Sequence, residues 1–246
     1  MSEIAKSPFQ SRIKIFLDGA DRGTLVEMLT HPLVSGFTTN PSLMKKAGVK
    51  DYRAYCLELL ALVGNKPISF EVFADDFSEM KRQAKEIASW AKPGNQLYVK
   101  IPITNSRAES SIPLVKELSH QGVRLNITAI YTPAQVQATC DAVRGGAPSI
   151  VSVFAGRIGD SGRDPMPIMQ TCAKICQKAG PEIELLWAST REALNIVQAE
   201  QAGCQIITSP VDMIKKVTGF NRELEQISLD TVKAFKSDAE SAGFSL

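Results

Sequence analysis

The chain has 246 residues, of which 44% are hydrophobic and 22% are charged, and its formal net charge is +2. This composition indicates a globular protein with a sizeable core, and the balanced charge without a basic run excludes the electrostatic footprint of a nucleic-acid or anionic-membrane binder. No apolar run reaches the roughly 18 residues of a membrane span, and residues 1–10 lack the apolar centre of a signal peptide, so a cytoplasmic protein is expected.

Apolar segments typical of strands alternate with amphipathic segments typical of helices. The predicted strands cover residues 13–17, 33–37, 67–73, 96–102, 123–128, 149–154, 183–187 and 205–208. The predicted helices cover residues 22–30, 51–63, 78–91, 106–120, 132–143, 165–179, 190–202 and about 222–241, and Pro41 suits the start of a further helix.

Eight strand–helix units with short connections predict a parallel sheet. At this length a closed barrel is favoured over an open doubly wound sheet, and neither a Gly-x-Gly-x-x-Gly segment nor a Walker lysine loop supports nucleotide binding. We therefore expect an α/β protein with a polar tail over residues 1–11 and a single-domain (β/α)8 TIM barrel over residues 12–246, including a C-terminal helix.

The five cysteines are scattered and include no Cys-x-x-Cys pair. This odd number and spacing do not predict a disulfide framework. Cys172 and Cys176 share a helix face, but neither of the two histidines has zinc-ligand spacing, so no structural zinc is expected.

Lys100 lies near the carboxyl end of the fourth predicted strand, which is otherwise apolar. Burial disfavours an ammonium and yields an amine that can attack a carbonyl carbon and form a Schiff base. The alternative is a strand-end lysine whose aliphatic stem covers apolar surface while its charge reaches solvent. The sequence of this strand alone leaves both interpretations open.

Polar side chains also occur at or just after the carboxyl ends of six other strands, where the active site of such a barrel lies. With Lys100, the candidates are Asp18, Asn40, Glu71, Asn126, Thr128, Ser152, Arg157, Ser189 and Arg191. Asn126 and Thr128 are two residues apart in one strand and therefore point to the same face. Together these positions predict one site at the mouth of the barrel.

Several candidates have a structural alternative. Asp18 and Asn40 could cap the helices that follow them. Glu71 could pair with Lys100 structurally, and Arg157 could belong to a surface ion pair. Convergence of these side chains at one mouth favours the functional interpretation.

Six motifs with this spacing resemble the transaldolase family, in particular its shorter members and the related fructose-6-phosphate aldolases. They are Phe-Leu-Asp-Gly-Ala-Asp at 16–21, Gly-Phe-Thr-Thr-Asn-Pro-Ser at 36–42, Val-Lys-Ile-Pro at 99–102, Asn-Ile-Thr at 126–128, Ser-Val-Phe-Ala-Gly-Arg at 152–157 and Ala-Ser-Thr-Arg at 188–191. Two positions depart from the family pattern near the acceptor sugar: Gly19 replaces a hydroxyl residue and Val153 a common proline. The resemblance implies a Schiff-base (class I) aldolase type of barrel.

The resemblance also implies a role for each candidate. Lys100 attacks the C2 ketone of a ketose phosphate, Asp18 removes the C4 hydroxyl proton, and Glu71 shuttles protons with a water held by Thr128. Asn40, Asn126 and Ser152 bind the dihydroxyacetone hydroxyls, and Arg157, Ser189 and Arg191 bind phosphate. No cofactor is implied, and the implied partners are sugar phosphates of carbohydrate metabolism, such as the pentose phosphate pathway, and further copies of the chain in a homo-oligomer such as a decamer.

The alternatives are a fructose-6-phosphate aldolase, a transaldolase for another anionic sugar such as a sulfo-sugar, and a catalytically silent sugar-phosphate-binding barrel. The resembling aldolases have tyrosine at the position of Phe154 and glutamine at that of Glu71. The pair found here is the transaldolase-like one, which favours transfer of a dihydroxyacetone unit over its release.

Overall fold

Within residues 11–245, which the computed structural model describes, eight parallel strands close into a barrel in which each strand pairs with the next and the eighth with the first. Strands β1 to β8 are Lys14–Asp18, Val34–Thr38, Ile68–Glu71, Leu97–Pro102, Leu125–Ile130, Ser149–Val153, Ile183–Trp187 and Ile206–Ser209. The predicted (β/α)8 barrel is confirmed. The tail predicted over residues 1–11 lies outside the described residues except at its last position.

Helices separate the strands. Helices α1 to α11 are Arg22–Leu29, Pro41–Lys46, Tyr52–Val63, Phe77–Ser89, Ile112–His120, Pro133–Val143, Ala155–Asp160, Met166–Ala179, Leu194–Ala202, Val211–Lys216 and Leu224–Ser241. Five of them, α1 to α4 and α6, begin with a side chain that caps the first backbone amides, such as Asp51 before α3 and Asp76 before α4. Such caps satisfy amides that have no partner within the helix.

An apolar layer fills the barrel directly beneath the site. Phe16, Tyr98, Ile150, Leu186 and Ile206 are buried together. Each lies two residues before a position near its strand's carboxyl end, and residues two apart in a strand face the same side. The side chains two positions further along each strand therefore lie directly above this apolar layer.

Two predicted helices begin later than expected. The helix predicted from 106 begins at Ile112, because the side chain of Asn105 accepts hydrogen bonds from the amides of Arg107 and Glu109 and holds a turn. The helix predicted from 190 begins at Leu194. Helices α7 and α10, with six residues each, were not predicted, since so short a segment carries too little periodicity to be recognised.

The described chain falls into two compact units. Ser11–Ile214 contains the barrel, and the second unit begins at Lys215 and contains α11. Large apolar side chains of α11, including Leu224, Val232 and Phe235, are exposed. In the part of the chain that the structure describes, we find no helix with the length and apolar character needed to cross a membrane.

Candidate active site

A cavity of about 220 Å³ opens at the carboxyl ends of the strands. Ten of the eleven predicted site residues line it, and the eleventh, Glu71, contacts Lys100 directly. The ten are Asp18, Asn40, Lys100, Asn126, Thr128, Ser152, Phe154, Arg157, Ser189 and Arg191. The predicted site residues therefore lie together at the mouth of the barrel.

Lys100 is buried within this cavity rather than reaching solvent, since its side chain is only 8% exposed. Its Nζ lies 3.1 Å from Oε2 of Glu71, its register partner on β3, and donates a hydrogen bond of 3.1 Å to the carbonyl oxygen of Thr39. A carboxylate at this distance can accept and return the amine's proton. The interpretation of Lys100 as a lysine that reaches solvent at a strand end is wrong.

Asp18 ends β1 and faces the same cavity. Thr38 Oγ1 donates a hydrogen bond of 2.8 Å to its Oδ1. Burial raises the pKa of Asp18, against the smaller lowering effects of the Lys100 charge and the Thr38 hydroxyl. Asp21, rather than Asp18, caps α1. Asp18 is thus a carboxyl held at the cavity wall, with a proton affinity above the ordinary one.

Asn40 does both things proposed for it. Its Oδ1 accepts a hydrogen bond of 3.0 Å from the amide of Leu43, which caps α2, and its side chain also lines the cavity. The capping bond uses the amide oxygen and leaves the Nδ2 hydrogens available to a bound molecule.

Asn126 is fixed by two buried hydroxyls. Its Oδ1 accepts a hydrogen bond of 2.6 Å from Ser152, and its Nδ2 donates one of 3.0 Å to Ser69. Asn126 is also the register partner of Lys100. Thr128 lies on the same face, and its buried hydroxyl has no hydrogen-bond partner within the described residues. A buried hydroxyl of this kind is available to a molecule that enters the cavity.

Two guanidinium groups occupy another side of the cavity. That of Arg157 lies 5.1 Å from the ring centre of Phe154, a cation–π contact. Arg191 donates hydrogen bonds of 2.6 to 3.1 Å to both carboxylate oxygens of Asp160 and thereby lowers the pKa of that carboxyl. Arginines held in fixed orientations suit multidentate binding of an anion such as phosphate.

A close backbone contact brings the two arginines together. A Cβ at Gly156 would lie 1.6 Å from the carbonyl oxygen of Ser189, so this position requires glycine. Ser189 itself has φ of +65°, which is uncommon for a residue with a side chain. This contact packs the start of α7 against the loop after β7, and these segments carry Arg157 and Arg191.

A larger groove of about 720 Å³ lies near the amino-terminal ends of β7 and β8, at the other end of the barrel. Its polar side chains, which include Gln170, Lys174 and Gln205, are all exposed. No buried polar group faces this groove within the described residues, and it therefore lacks the features of a catalytic site.

Sequence reasoning missed three polar residues of the cavity, Thr38, Thr190 and Thr208. Thr38 belongs to the Thr-Thr-Asn-Pro-Ser motif and Thr190 to the Ala-Ser-Thr-Arg motif, but neither received a role of its own. Thr208 is a polar residue near the carboxyl end of β8, the one strand from which no candidate was taken. The rule applied to the other seven strands would have found it.

The geometry agrees with comparisons to known proteins. The profile of the transaldolase/fructose-6-phosphate aldolase family matches residues 15–246. The chain belongs to this family. It is a transferase with a Schiff-base aldolase fold.

Relatives named probable transaldolase cover most of the chain. The protein from Dehalococcoides mccartyi is 36% identical over 83% of this chain and 90% of its own length. The protein from Methanococcus maripaludis strain C7 is 34% identical over 86% and 92%. The protein from Anaeromyxobacter sp. strain K is 32% identical over 83% and 88%. The family match extends to residue 246, although the motifs recognised in the sequence end at 191.

Proposed function

We propose that the protein transfers a dihydroxyacetone unit from a ketose phosphate, such as fructose 6-phosphate or sedoheptulose 7-phosphate, to an aldose phosphate through a Schiff base on Lys100. The observation that carries this proposal is the buried Lys100 amine, 3.1 Å from the Glu71 carboxylate, in a cavity that also contains Asp18 and two arginines. The names of the relatives support the same reaction.

The first stage of the reaction forms the imine. Glu71 takes a proton from the Lys100 ammonium, and the free amine attacks C2 of the ketose. The resulting carbinolamine loses water when a proton returns to its hydroxyl, and Thr128 offers the hydroxyl that can hold the departing or entering water. The dihydroxyacetone hydroxyls bind to Asn40, Asn126 and Ser152.

The second stage breaks one carbon–carbon bond and forms another. Asp18 takes the C4 hydroxyl proton, the C3–C4 bond breaks, and its electron pair moves into the imine to leave an enamine on Lys100. The aldehyde departs, an acceptor aldehyde takes its place, and the enamine carbon attacks it. Asp18 returns its proton to the new alkoxide, and water releases the new ketose from Lys100. Arg157, Ser189 and Arg191 bind the donor's phosphate, which leaves with the aldehyde, and then bind the phosphate of the acceptor.

Removing either arginine tests the phosphate site. Arg157→Ala and Arg191→Ala are each expected to lower kcat/KM for fructose 6-phosphate by roughly ten- to a hundredfold, because a charge-assisted hydrogen bond contributes about 1.5–3 kcal/mol. Free fructose should lose much less. Arg163→Ala, an exposed arginine that follows α7, is the matched control. Equal losses with and without phosphate would make the substituted arginine structural.

The nature of residue 154 separates transfer from release. Hydrolytic release of dihydroxyacetone needs a proton at the enamine carbon, and the Phe154 ring supplies none while it helps to exclude water. The protein should therefore release little dihydroxyacetone from fructose 6-phosphate alone and should turn over when erythrose 4-phosphate is added. Phe154→Tyr should raise acceptor-independent release and lower transfer, and since its ring still faces Arg157, KM should change little.

Two assays check this prediction: one measures the dihydroxyacetone released without acceptor, and the other measures transfer to erythrose 4-phosphate. Rapid cleavage of fructose 6-phosphate without acceptor by the unmodified protein would assign it as an aldolase instead. Equal rates with fructose 6-phosphate and its sulfonate analogue would favour the sulfo-sugar alternative, and an absence of turnover with any of them would leave the silent binding barrel.

A homo-oligomer in the cytoplasm completes the proposal. Exposed apolar side chains on α11, among them Val232 and Phe235, support assembly, since contiguous apolar surface favours association. Light scattering of the full chain measures the number of copies.

A further inference from the structure

Two buried threonines flank Asp18 inside the barrel and have no part in the mechanism described above. Thr38 on β2 is 2% exposed and Thr208 on β8 is 5% exposed, and both line the cavity. Their strands pair with β1 from either side, and Thr38 is the register partner of Asp18. The two hydroxyls are in hydrogen-bond contact with each other.

The hydrogens in this chain of hydroxyls have a defined direction. A threonine hydroxyl has one hydrogen to donate, and Thr38 gives it to Oδ1 of Asp18 at 2.8 Å. The contact between the threonines must then be donated by Thr208. Donors therefore run from Thr208 to Thr38 to Asp18 and end on the carboxylate, an order in which each hydrogen bond polarises and strengthens the next.

The two carboxylate oxygens of Asp18 have different surroundings. Oδ1 is engaged by Thr38, whereas Oδ2 accepts no hydrogen bond within the described residues. The carboxylate cannot rotate without breaking the Thr38 bond, so Oδ2 remains the oxygen that receives a proton from a bound molecule. Thr38 thus acts on a reaction through Asp18 rather than by contact with the reacting atoms.

The charge of Asp18 depends on the same contact. Thr38 is the only side chain in the described chain that donates a hydrogen bond to this carboxyl, and the bond lowers a pKa that burial raises. Lys100, whose charge also lowers the pKa of Asp18, is paired with Glu71. The other charged side chains that line the cavity are Arg157 and Arg191. Asp18 also lines a second cavity, of about 420 Å³, whose other charged side chains are Asp21, Lys46 and Asp212.

We propose that Thr38, oriented by Thr208, is a positioning residue that presents Oδ2 of Asp18 to the substrate hydroxyl and keeps this carboxylate charged. The inference rests on the proposed function, because it assigns Asp18 as the base for the carbon–carbon cleavage. It predicts a dependence of cleavage on two hydroxyls that no step of the reaction touches.

The test replaces each hydroxyl with a methyl group of the same shape. Thr38→Val should lower kcat for fructose 6-phosphate with erythrose 4-phosphate by roughly ten- to a hundredfold and move the acid limb of the kcat/KM profile to higher pH, while KM changes little. Thr208→Val should move the limb in the same direction by less. Thr38→Ser, which keeps the hydroxyl, should restore the parent profile.

Two controls make the outcomes distinct. Thr139→Val removes a buried hydroxyl of α6 that donates to the Gln135 carbonyl, and it should leave the pH profile unchanged. Borohydride trapping of added free dihydroxyacetone on Lys100 needs no carbon–carbon cleavage and should proceed in every variant. A parent protein that forms no such adduct would overturn the proposed function and this inference with it.

The inference alone fails in two other cases. It fails if the parent protein forms the adduct and cleaves the ketose while Thr38→Val keeps the parent acid limb and kcat. It also fails if Thr38→Ser matches Thr38→Val, since packing rather than the hydroxyl would then matter. If Thr38→Val does not fold, Thr208→Val decides the question: the inference holds if its acid limb moves to higher pH while that of Thr38→Ser stays at the parent position, and it fails if the limb of Thr208→Val does not move.

Discussion

Lys100→Met is expected to abolish both turnover and covalent trapping. Methionine keeps an unbranched side chain in the apolar strand but has no amine to form an imine, so no residual Schiff-base pathway remains. Borohydride reduction in the presence of fructose 6-phosphate should attach a three-carbon unit to the parent peptide that contains Lys100 and to no peptide of the variant. Peptide mass spectrometry measures both.

The chain offers an internal control and a companion variant. Lys66 is a second partly buried lysine, whose ammonium donates hydrogen bonds of 2.7 Å to the carbonyls of Leu29 and Val34, and its peptide should stay unmodified. Because Lys100→Met leaves the Glu71 carboxylate without its partner, the fold should be checked by circular dichroism beside Lys100→Met/Glu71→Gln. An adduct on any other lysine would exclude the proposed mechanism.

The fold could be predicted because its signals are local and repeated. Each strand is an apolar run a few residues long, each helix has its own period, and a parallel sheet buries both faces of its strands. Catalytic candidates could be predicted because the barrel brings every strand's carboxyl end to one mouth. For this reason Asp18 and Arg191, 173 positions apart in the chain, line one cavity.

The remaining details depend on contacts between distant side chains. Nothing in the local sequence indicates that Asp160 holds Arg191, or that Thr208 reaches Thr38 across β1. Helix starts moved where an asparagine side chain bound nearby amides in place of the helix, as Asn195 does for Arg191 and Glu192. Such choices are decided by competing hydrogen bonds, which periodicity does not report.

Asp18→Asn is expected to separate imine formation from carbon–carbon cleavage. Asparagine can keep the hydrogen bond from Thr38 but cannot take a proton from the C4 hydroxyl. General base catalysis contributes typically 10² to 10⁴ in rate, so transfer from fructose 6-phosphate should fall by about that factor. Borohydride trapping of added free dihydroxyacetone on Lys100 should continue, because that imine forms without the C4 step. Asp21→Asn keeps the cap of α1 and is the matched control.

The pH dependence follows from the pKa of Asp18, which burial raises above its ordinary value of 3.8. The charged carboxylate is the active base, so protonation removes activity, and kcat/KM should fall as the pH is lowered through the raised pKa. With free fructose, which has no phosphate to titrate, the fall should begin above the pH at which a solvated aspartate titrates. The residual activity of Asp18→Asn should lose this acid limb. An unchanged limb in that variant would assign the limb to a group other than Asp18.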